Sequence, residues 1–175
     1  MITPDDKHMI TPDDINSEKQ LRIRAHFQNQ QNLPLALLAG FGAAIISAIV
    51  WAIVTVSTEY QIGWMAVGIG FLVGLSVRLG KGIDKLYSVI GALLAFLGCI
   101  LGNFFSLAGF IAKEEQINVL SIFGMLDYSK VPSLMIETSS PMDILFYGLA
   151  VYGGYKYSVR SISSEEIESV QKSIE

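Results

Sequence analysis

The sequence predicts an all-α polytopic membrane protein whose four transmembrane helices form a bundle. The composition is the first indication, because 51% of the 175 residues are hydrophobic and only 16% are charged, against roughly 25% charged residues in a soluble domain. The second is Leu86–Ala112, which contains no charged residue and exceeds the roughly 20 residues that cross a bilayer. The third is the presence of three further apolar runs, separated by polar segments.

The N-terminal region contains a duplication, because the hexapeptide MITPDD occurs at residues 1–6 and again at 9–14. Such a repeat is typical of a cloning scar or a duplicated start, so residues 1–8 are not expected to belong to the fold. Residues 1–32 are expected to form a cytoplasmic tail. Within this tail, Ser17-Glu18-Lys19-Gln20 matches a capping box and predicts a short helix that begins there, either at the membrane interface or in solvent.

Four spans are expected within a transmembrane domain at residues 33–160, which a cytoplasmic tail at 161–175 follows. The spans lie at about 35–56, 62–79, 86–112 and 142–159. Pro34 suits the first turn of the first helix. The run Ser140-Pro141-Met142-Asp143 supplies a capping serine, a proline at the first helical position and an acid in the first turn, which predicts the start of the fourth helix.

Small residues recur along one face of each span. Lipid tails are as apolar as leucine, so helix association in a membrane depends on close approach of backbones rather than on hydrophobicity. We therefore expect the small faces to meet neighbouring helices. The predicted packing residues are Gly40, Ala44, Ala48, Gly70, Gly74, Gly91, Gly98 and Gly102. In the third span, the opposite face, which includes Phe104 and Ala108, is expected to meet lipid or a second subunit.

Asn103 is the one strongly polar side chain in the third span, and it lies near Cys99. A buried amide in a membrane helix usually bonds to a neighbouring helix, whereas other intramembrane polar groups mark a substrate or ion pathway. Both interpretations remain open. Cys99 is the single cysteine, so an intrachain disulfide is excluded and a small apolar packing role is expected.

A basic turn, Arg78–Lys85, joins the second and third spans. Arg78 and the glycine-flanked Lys81 are suited to hold the phosphate of a lipid headgroup or a nucleotide, although their spacing does not match a P-loop. The simpler interpretation is a basic cytoplasmic turn in which Arg78 pairs with Asp84 or extends to the interface.

The segment at residues 113–142, between the third and fourth spans, has too few apolar residues to cross a membrane. Short interfacial helices are expected here, one around Ile117–Leu126 and one over Val131–Thr138. The acidic residues of this segment lack the spacing of metal ligands and are expected to face solvent. No metal or cofactor is expected.

Basic residues near the ends of the spans predict that both termini are cytoplasmic. Arg22 and Arg24 precede the first span, three basic residues lie in the Arg78–Lys85 turn, and Lys156 and Arg160 close the fourth span. The first outer turn has none. By the positive-inside rule this pattern requires four spans, since three would place Lys156 and Arg160 outside.

An uncharacterised family of small four-helix integral membrane proteins from Bacteroidota-type bacteria resembles this chain in three stretches. They are VGLSVRLGKGID (Val73–Asp84), LLAFLGCILGNFFSLAGFIAKEE (Leu93–Glu115) and SPMDILFYGLAVYGGYKYS (Ser140–Ser158). The resemblance extends over most of Leu33 to Arg160 and implies a location in the bacterial plasma (inner) membrane. It implies no activity and no catalytic residue.

The sequence favours a protein without enzymatic activity. No acid–base constellation accompanies its two histidines, so a lipid-modifying enzyme is the least favoured class, and the formal charge of −4 argues against nucleic acid as a partner. The first hypothesis is a bundle in the lipid bilayer that forms homo-oligomers or joins other membrane subunits. The alternative is a small oligomeric channel or transporter with Asn103 and Arg78 along its path.

Overall fold

The computed structural model describes residues 12–60, 62–125, 127, 129–138 and 140–174. Over these residues the chain is helical and contains no strand, which confirms the all-α prediction. The helices are α1 Pro12–Gln28, α2 Leu33–Thr58, α3 Trp64–Arg78, α4 Lys85–Glu114, α5 Val119–Met125, α6 Val131–Thr138, α7 Pro141–Tyr157 and α8 Ser164–Ile174.

Two of these helices, α2 and α4, are long and apolar enough to cross a membrane. They contain 26 and 30 residues, with mean hydropathies of 2.4 and 2.1 in their most apolar windows. The helices α3 and α7 contain 15 and 17 residues. At about 1.5 Å per residue, both are shorter than a bilayer core of roughly 30 Å.

The chain divides into two compact units, and one of them contains α1 and α8. These two helices contact each other, so the two tails, which the sequence predicts as separate segments, form one unit. The helix α1 begins at Pro12 rather than at Ser17, so the predicted capping-box start at Ser17 is wrong. The physical reason is that Pro12 and the two acidic residues after it are themselves a favourable helix start.

The other unit, Asn32–Arg160, contains the bundle of α2, α3, α4 and α7. The helices α3 and α4 form a central pair, and each of them contacts both α2 and α7. The helices α2 and α7 lie on opposite sides of this pair. Parallel α2 and α4 keep a register in which Glu59 bonds to Lys113, 54 residues later. In α3 and α7, which are also parallel, Gly70 lies against Ala150.

The ends of the bundle helices follow the local sequence. Asn32 caps α2, because its Oδ1 accepts the Leu35 N–H at 2.9 Å. The predicted start of α7 is confirmed: the Met142 N–H donates to Ser140 Oγ at 3.3 Å, and the Ser140 N–H donates to Asp143 Oδ2 at 2.8 Å.

The short helix α5 packs on the C-terminal part of α4 and corrects one prediction. Ala108 and Ala112 of α4 form a buried cluster with Ile122 of α5, and Ala108 is only 1% exposed. The position of Ala108 opposite the small face predicts that it faces lipid or a second subunit. This prediction is wrong, because Ala108 is buried against α5. The reason is that the chain folds back after α4 and covers this side with its own residues.

Candidate functional site

All eight predicted packing residues are buried. The closest backbone approach among them joins α3 to α7. A Cβ atom added to Gly70 would overlap the carbonyl oxygen of Ala150 and lie 2.7 Å from its Cα. Both obstructing atoms belong to the backbone, which has no rotamer to change, so only glycine permits this spacing of the two helices.

The helices α4 and α7 meet at a reciprocal glycine pair, Gly91 and Gly154. A Cβ atom on either residue would overlap the carbonyl oxygen of the other. The fully buried Ser158 lies over Gly91 and donates its hydroxyl to the carbonyl oxygen of Gly154. Gly154 is absent from the predicted packing residues, although its spacing of four from Ala150 was the available signal.

The helices α4 and α2 meet through glycines of α4. A Cβ atom added to Gly98 would lie 3.4 Å from the Ala44 methyl group, and one added to Gly102 would lie 2.7 Å from Cε3 of Trp51. Trp51 is only 1% exposed. The missing side chain at Gly102 thus makes room for an indole ring between the helices.

A polar layer crosses the bundle at the level of this indole. Asn103 Nδ2 of α4 donates to Tyr147 Oη of α7 at 3.1 Å, which is the interhelical bond expected of a buried amide. The Trp51 and Tyr147 rings meet edge to face, with centroids 6.5 Å apart. No sequence pattern predicts the pairing of Asn103 with Tyr147, which lies on the face of α7 that also carries Ala150 and Gly154.

Two polar groups, one in this layer and one beside it, are enclosed without a hydrogen-bond partner among the described residues. They are Nε1 of Trp51 and Oγ1 of Thr55, one helical turn further along α2. Both side chains are 1% exposed. The layer therefore offers hydrogen-bonding groups inside an apolar bundle, and such groups carry a desolvation cost while they are unpaired.

The candidate phosphate-binding residues Arg78 and Lys81 lie at the C-terminal end of α3, away from the turn that joins α2 to α3. Arg78 ends α3 and is half-buried, whereas Lys81 is exposed and left-handed, with φ of 55°. Backbone bonds hold this turn on both sides. The Asn32 N–H donates to the carbonyl of Gly80, and the Arg160 N–H to that of Gly82, both at 2.8 Å.

The structure does not bring Asn103 and Arg78 into one site. Next to Arg78, Gly80 lies against Ala36, whereas Asn103 shares its layer with Trp51. About 15 residues of α2 separate these two levels, or roughly 22 Å at 1.5 Å per residue. A path through both residues would have to run most of the length of the bundle.

The other end of the bundle carries an ion pair that sequence reasoning missed. Lys113 Nζ lies 2.6 Å from Glu59 Oε1. The hydrogen bond and the charge of Lys113 lower the pKa of Glu59 below its ordinary value of 4.5. The sequence contains both residues but no signal for their pairing, since it depends on the register of α2 and α4.

Within the described ranges, no group of three or more histidine, cysteine, aspartate or glutamate side chains is arranged to hold a metal ion. The fold and its core thus define a helical bundle in which two helices have membrane-spanning length and composition. Comparisons with known proteins found no matching family, no matching curated protein and no matching solved structure.

Proposed function

We propose that this chain is an integral membrane protein of the bacterial plasma (inner) membrane, without enzymatic activity, that self-associates or joins a larger membrane assembly. The observation that carries the proposal is the distribution of apolar surface. Large apolar side chains on the bundle face outward, among them Leu38 (74% exposed), Leu93 (63%) and Ile144 (73%), while the helices pack on one another through their glycines and alanines. Lipid accommodates such a surface, whereas water disfavours it.

All four bundle helices span the bilayer in this proposal, including the short α3 and α7. Support comes from their packing, because each contacts the spanning helix α4. A short span is accommodated by local thinning of the bilayer and by flanking residues. The exposed rings of Tyr60 and Trp64 lie at the end of α3 where an aromatic belt is expected.

The proposed orientation places both termini in the cytoplasm. Its support is the difference in charge between the two ends of the bundle. The end with the Arg78–Lys85 turn also carries Lys156 and Arg160, whereas the other end carries Glu59, Glu114 and Glu115 beside two lysines, Lys113 and Lys130. The positive-inside rule assigns the first end to the cytoplasm. The resemblance to Bacteroidota-type membrane proteins supports the location in the plasma membrane.

Self-association is supported by glycines that the bundle itself does not use. Added Cβ atoms at Gly42, Gly68 and Gly148 would meet nothing within 4 Å. Gly68 lines a surface groove of about 350 Å³ between α2 and α3, together with Ala43. Small residues on a lipid-facing surface permit close approach of another membrane helix, from a second copy or from another subunit.

The test is the oligomeric state of the full chain in nanodiscs and in mild detergent. We expect assemblies larger than one chain, and we expect Gly68→Phe to reduce them because the ring fills the groove. Val89→Phe, on an outward face of α4 that is 47% exposed, is the matched control and should leave the assemblies intact. A wild-type protein that is monomeric and co-purifies with no partner would contradict the proposal.

The alternative function is a small oligomeric channel or transporter for an ion or small solute. The polar layer favours it, because Asn103 and the unpartnered groups of Trp51 and Thr55 lie among apolar helices, and transport sites need polar groups within the membrane. Liposome flux is the test. Flux through wild-type protein that is abolished in Asn103→Leu would support a channel. The absence of flux through wild-type protein would contradict a channel.

A further inference from the structure

A second and larger groove lies on the outer half of the bundle, where α5 folds back beside α2 and α4. Its volume is about 550 Å³, within the range of roughly 300–1,000 Å³ typical of small-ligand sites. The lining is apolar and includes Ile49, Ile53, Phe105, Leu120 and Phe123. An occupant of this groove must therefore present a long apolar group.

A charged pair lies next to one end of this groove. Val56 and Gly109 line its outer part and lie against each other. One helical turn further along each helix are Glu59 and Lys113, whose side chains form the 2.6 Å ion pair and remain 68% and 51% exposed. An apolar groove that ends at an exposed ion pair matches an amphiphile with both a positive and a negative group in its head.

The chemistry of this pair selects among such amphiphiles. A lysine ammonium has three donors and a carboxylate has several acceptor sites, so each partner keeps capacity beyond their mutual bond. Glu114 and Glu115 follow Lys113 and make this end of the bundle acidic overall. That excess of negative charge disfavours an anionic headgroup and favours one that carries a positive charge. The exposed carboxylate of Glu59 can accept hydrogen bonds only from an ammonium that has N–H donors.

We propose that the groove between α2, α4 and α5 binds one molecule of phosphatidylethanolamine. One acyl chain lies in the groove, the ethanolamine ammonium donates to Glu59, and the phosphate accepts from Lys113. Phosphatidylcholine lacks N–H donors, and phosphatidylglycerol lacks the positive charge. The inference rests on the membrane location in the proposed function but not on self-association.

The experiment uses the full chain in nanodiscs made of equal parts phosphatidylethanolamine, phosphatidylglycerol and phosphatidylcholine. After release into mild detergent, native mass spectrometry counts the retained lipids by headgroup. We expect one phosphatidylethanolamine per chain, and we expect Glu59→Gln to lower its preference over phosphatidylcholine about tenfold, through loss of a charge-assisted hydrogen bond. Equal retention of all three headgroups by wild-type protein would overturn the proposal.

Two phenylalanine variants test the position of the lipid. Ser57→Phe fills the proposed groove at an exposed lining residue, and it should abolish retention. Gly68→Phe fills the groove between α2 and α3, which has no charged lining residue, and it should retain the lipid. In the Ser57→Phe protein, slow reaction of the buried Cys99 with a thiol reagent shows that the chain is folded. If this folded variant still retains the lipid, the assigned groove is wrong.

The same spectra separate this inference from the proposed function. Chains that hold phosphatidylethanolamine as monomers would support the lipid site and contradict self-association. Oligomers that retain no headgroup selectively would support self-association and contradict the lipid site. A chain that fails to enter nanodiscs or to float with vesicles would overturn both.

Discussion

Gly70→Ala tests whether backbone contact between α3 and α7 holds the bundle together. The added methyl group would overlap the backbone of Ala150, with its Cα 2.7 Å away. Relief requires the two helices to separate, and that movement loosens every contact along their interface. Gly68→Ala is the matched control, because it lies two residues away on the exposed side of α3 and its Cβ would meet nothing within 4 Å.

The expected magnitude combines two opposing effects. Overpacking of a close-packed interior costs about 1–3 kcal/mol, and the rigid backbone at Ala150 places Gly70→Ala at the upper end. Alanine in place of glycine within a helix returns about 1 kcal/mol. We therefore expect Gly70→Ala to lower the free energy of unfolding by about 2 kcal/mol and Gly68→Ala to raise it by about 0.5–1 kcal/mol.

Cys99 provides the assay. It is the single cysteine and is fully buried, so a thiol-reactive dye in detergent micelles labels it when the bundle opens. If the bundle opens and closes faster than the dye reacts, the rate of Cys99 labelling is proportional to the population of open molecules. A loss of about 2 kcal/mol corresponds to labelling about 30-fold faster. Equal labelling of the Gly70→Ala and Gly68→Ala proteins would refute close packing of α3 on α7.

Three further outcomes are expected. In a double-mutant cycle of Asn103→Leu and Tyr147→Phe, dye labelling should give a coupling energy of about 0.6 kcal/mol, typical of interhelical bonds in membranes; additive effects would contradict the bond. Because Lys113 lowers the pKa of Glu59 below 4.5, the ion pair contributes above the unfolded-state pKa and is lost as pH falls through the lowered value. Melting curves below pH 5 should therefore depend less on pH in Glu59→Gln than in wild-type protein, and identical acid profiles would exclude this contribution. Gln116 follows α4 with a left-handed φ of 57°, so Gln116→Gly should raise stability by about 1 kcal/mol in thermal unfolding, whereas Gln116→Ala should not.

Several features follow from local sequence, and the structure agrees with them. The start of α7 depends on a serine, a proline and an acid within four residues, Ser140–Asp143, and it appears where these residues predict it. The bounds Val131–Thr138 of α6 also coincide with the prediction. Caps and apolar periodicity act within one or two turns of chain, so they can be interpreted without knowledge of the rest of the molecule.

The burial of Ala108 by α5 is a feature that local sequence does not predict. Helical periodicity places this residue opposite the small residues of α4, which predicts that it faces away from the other helices of the bundle. The chain then returns as α5 and buries it beside Ile122. A hydrophobic pattern specifies that a face seeks an apolar neighbour, but lipid, another subunit and a distant segment of the same chain satisfy that requirement equally well.

By itself, the sequence determined which helices form and which of their faces are small. Only the tertiary structure decided how those faces align, because the small residues of α2 repeat every fourth position from Ala36 to Ala52 and a shift by one turn presents nearly the same surface. Large and polar side chains remove this ambiguity. Trp51 requires the space at Gly102, and Glu59 requires Lys113, so the bonds and close contacts of one register distinguish it from its neighbours.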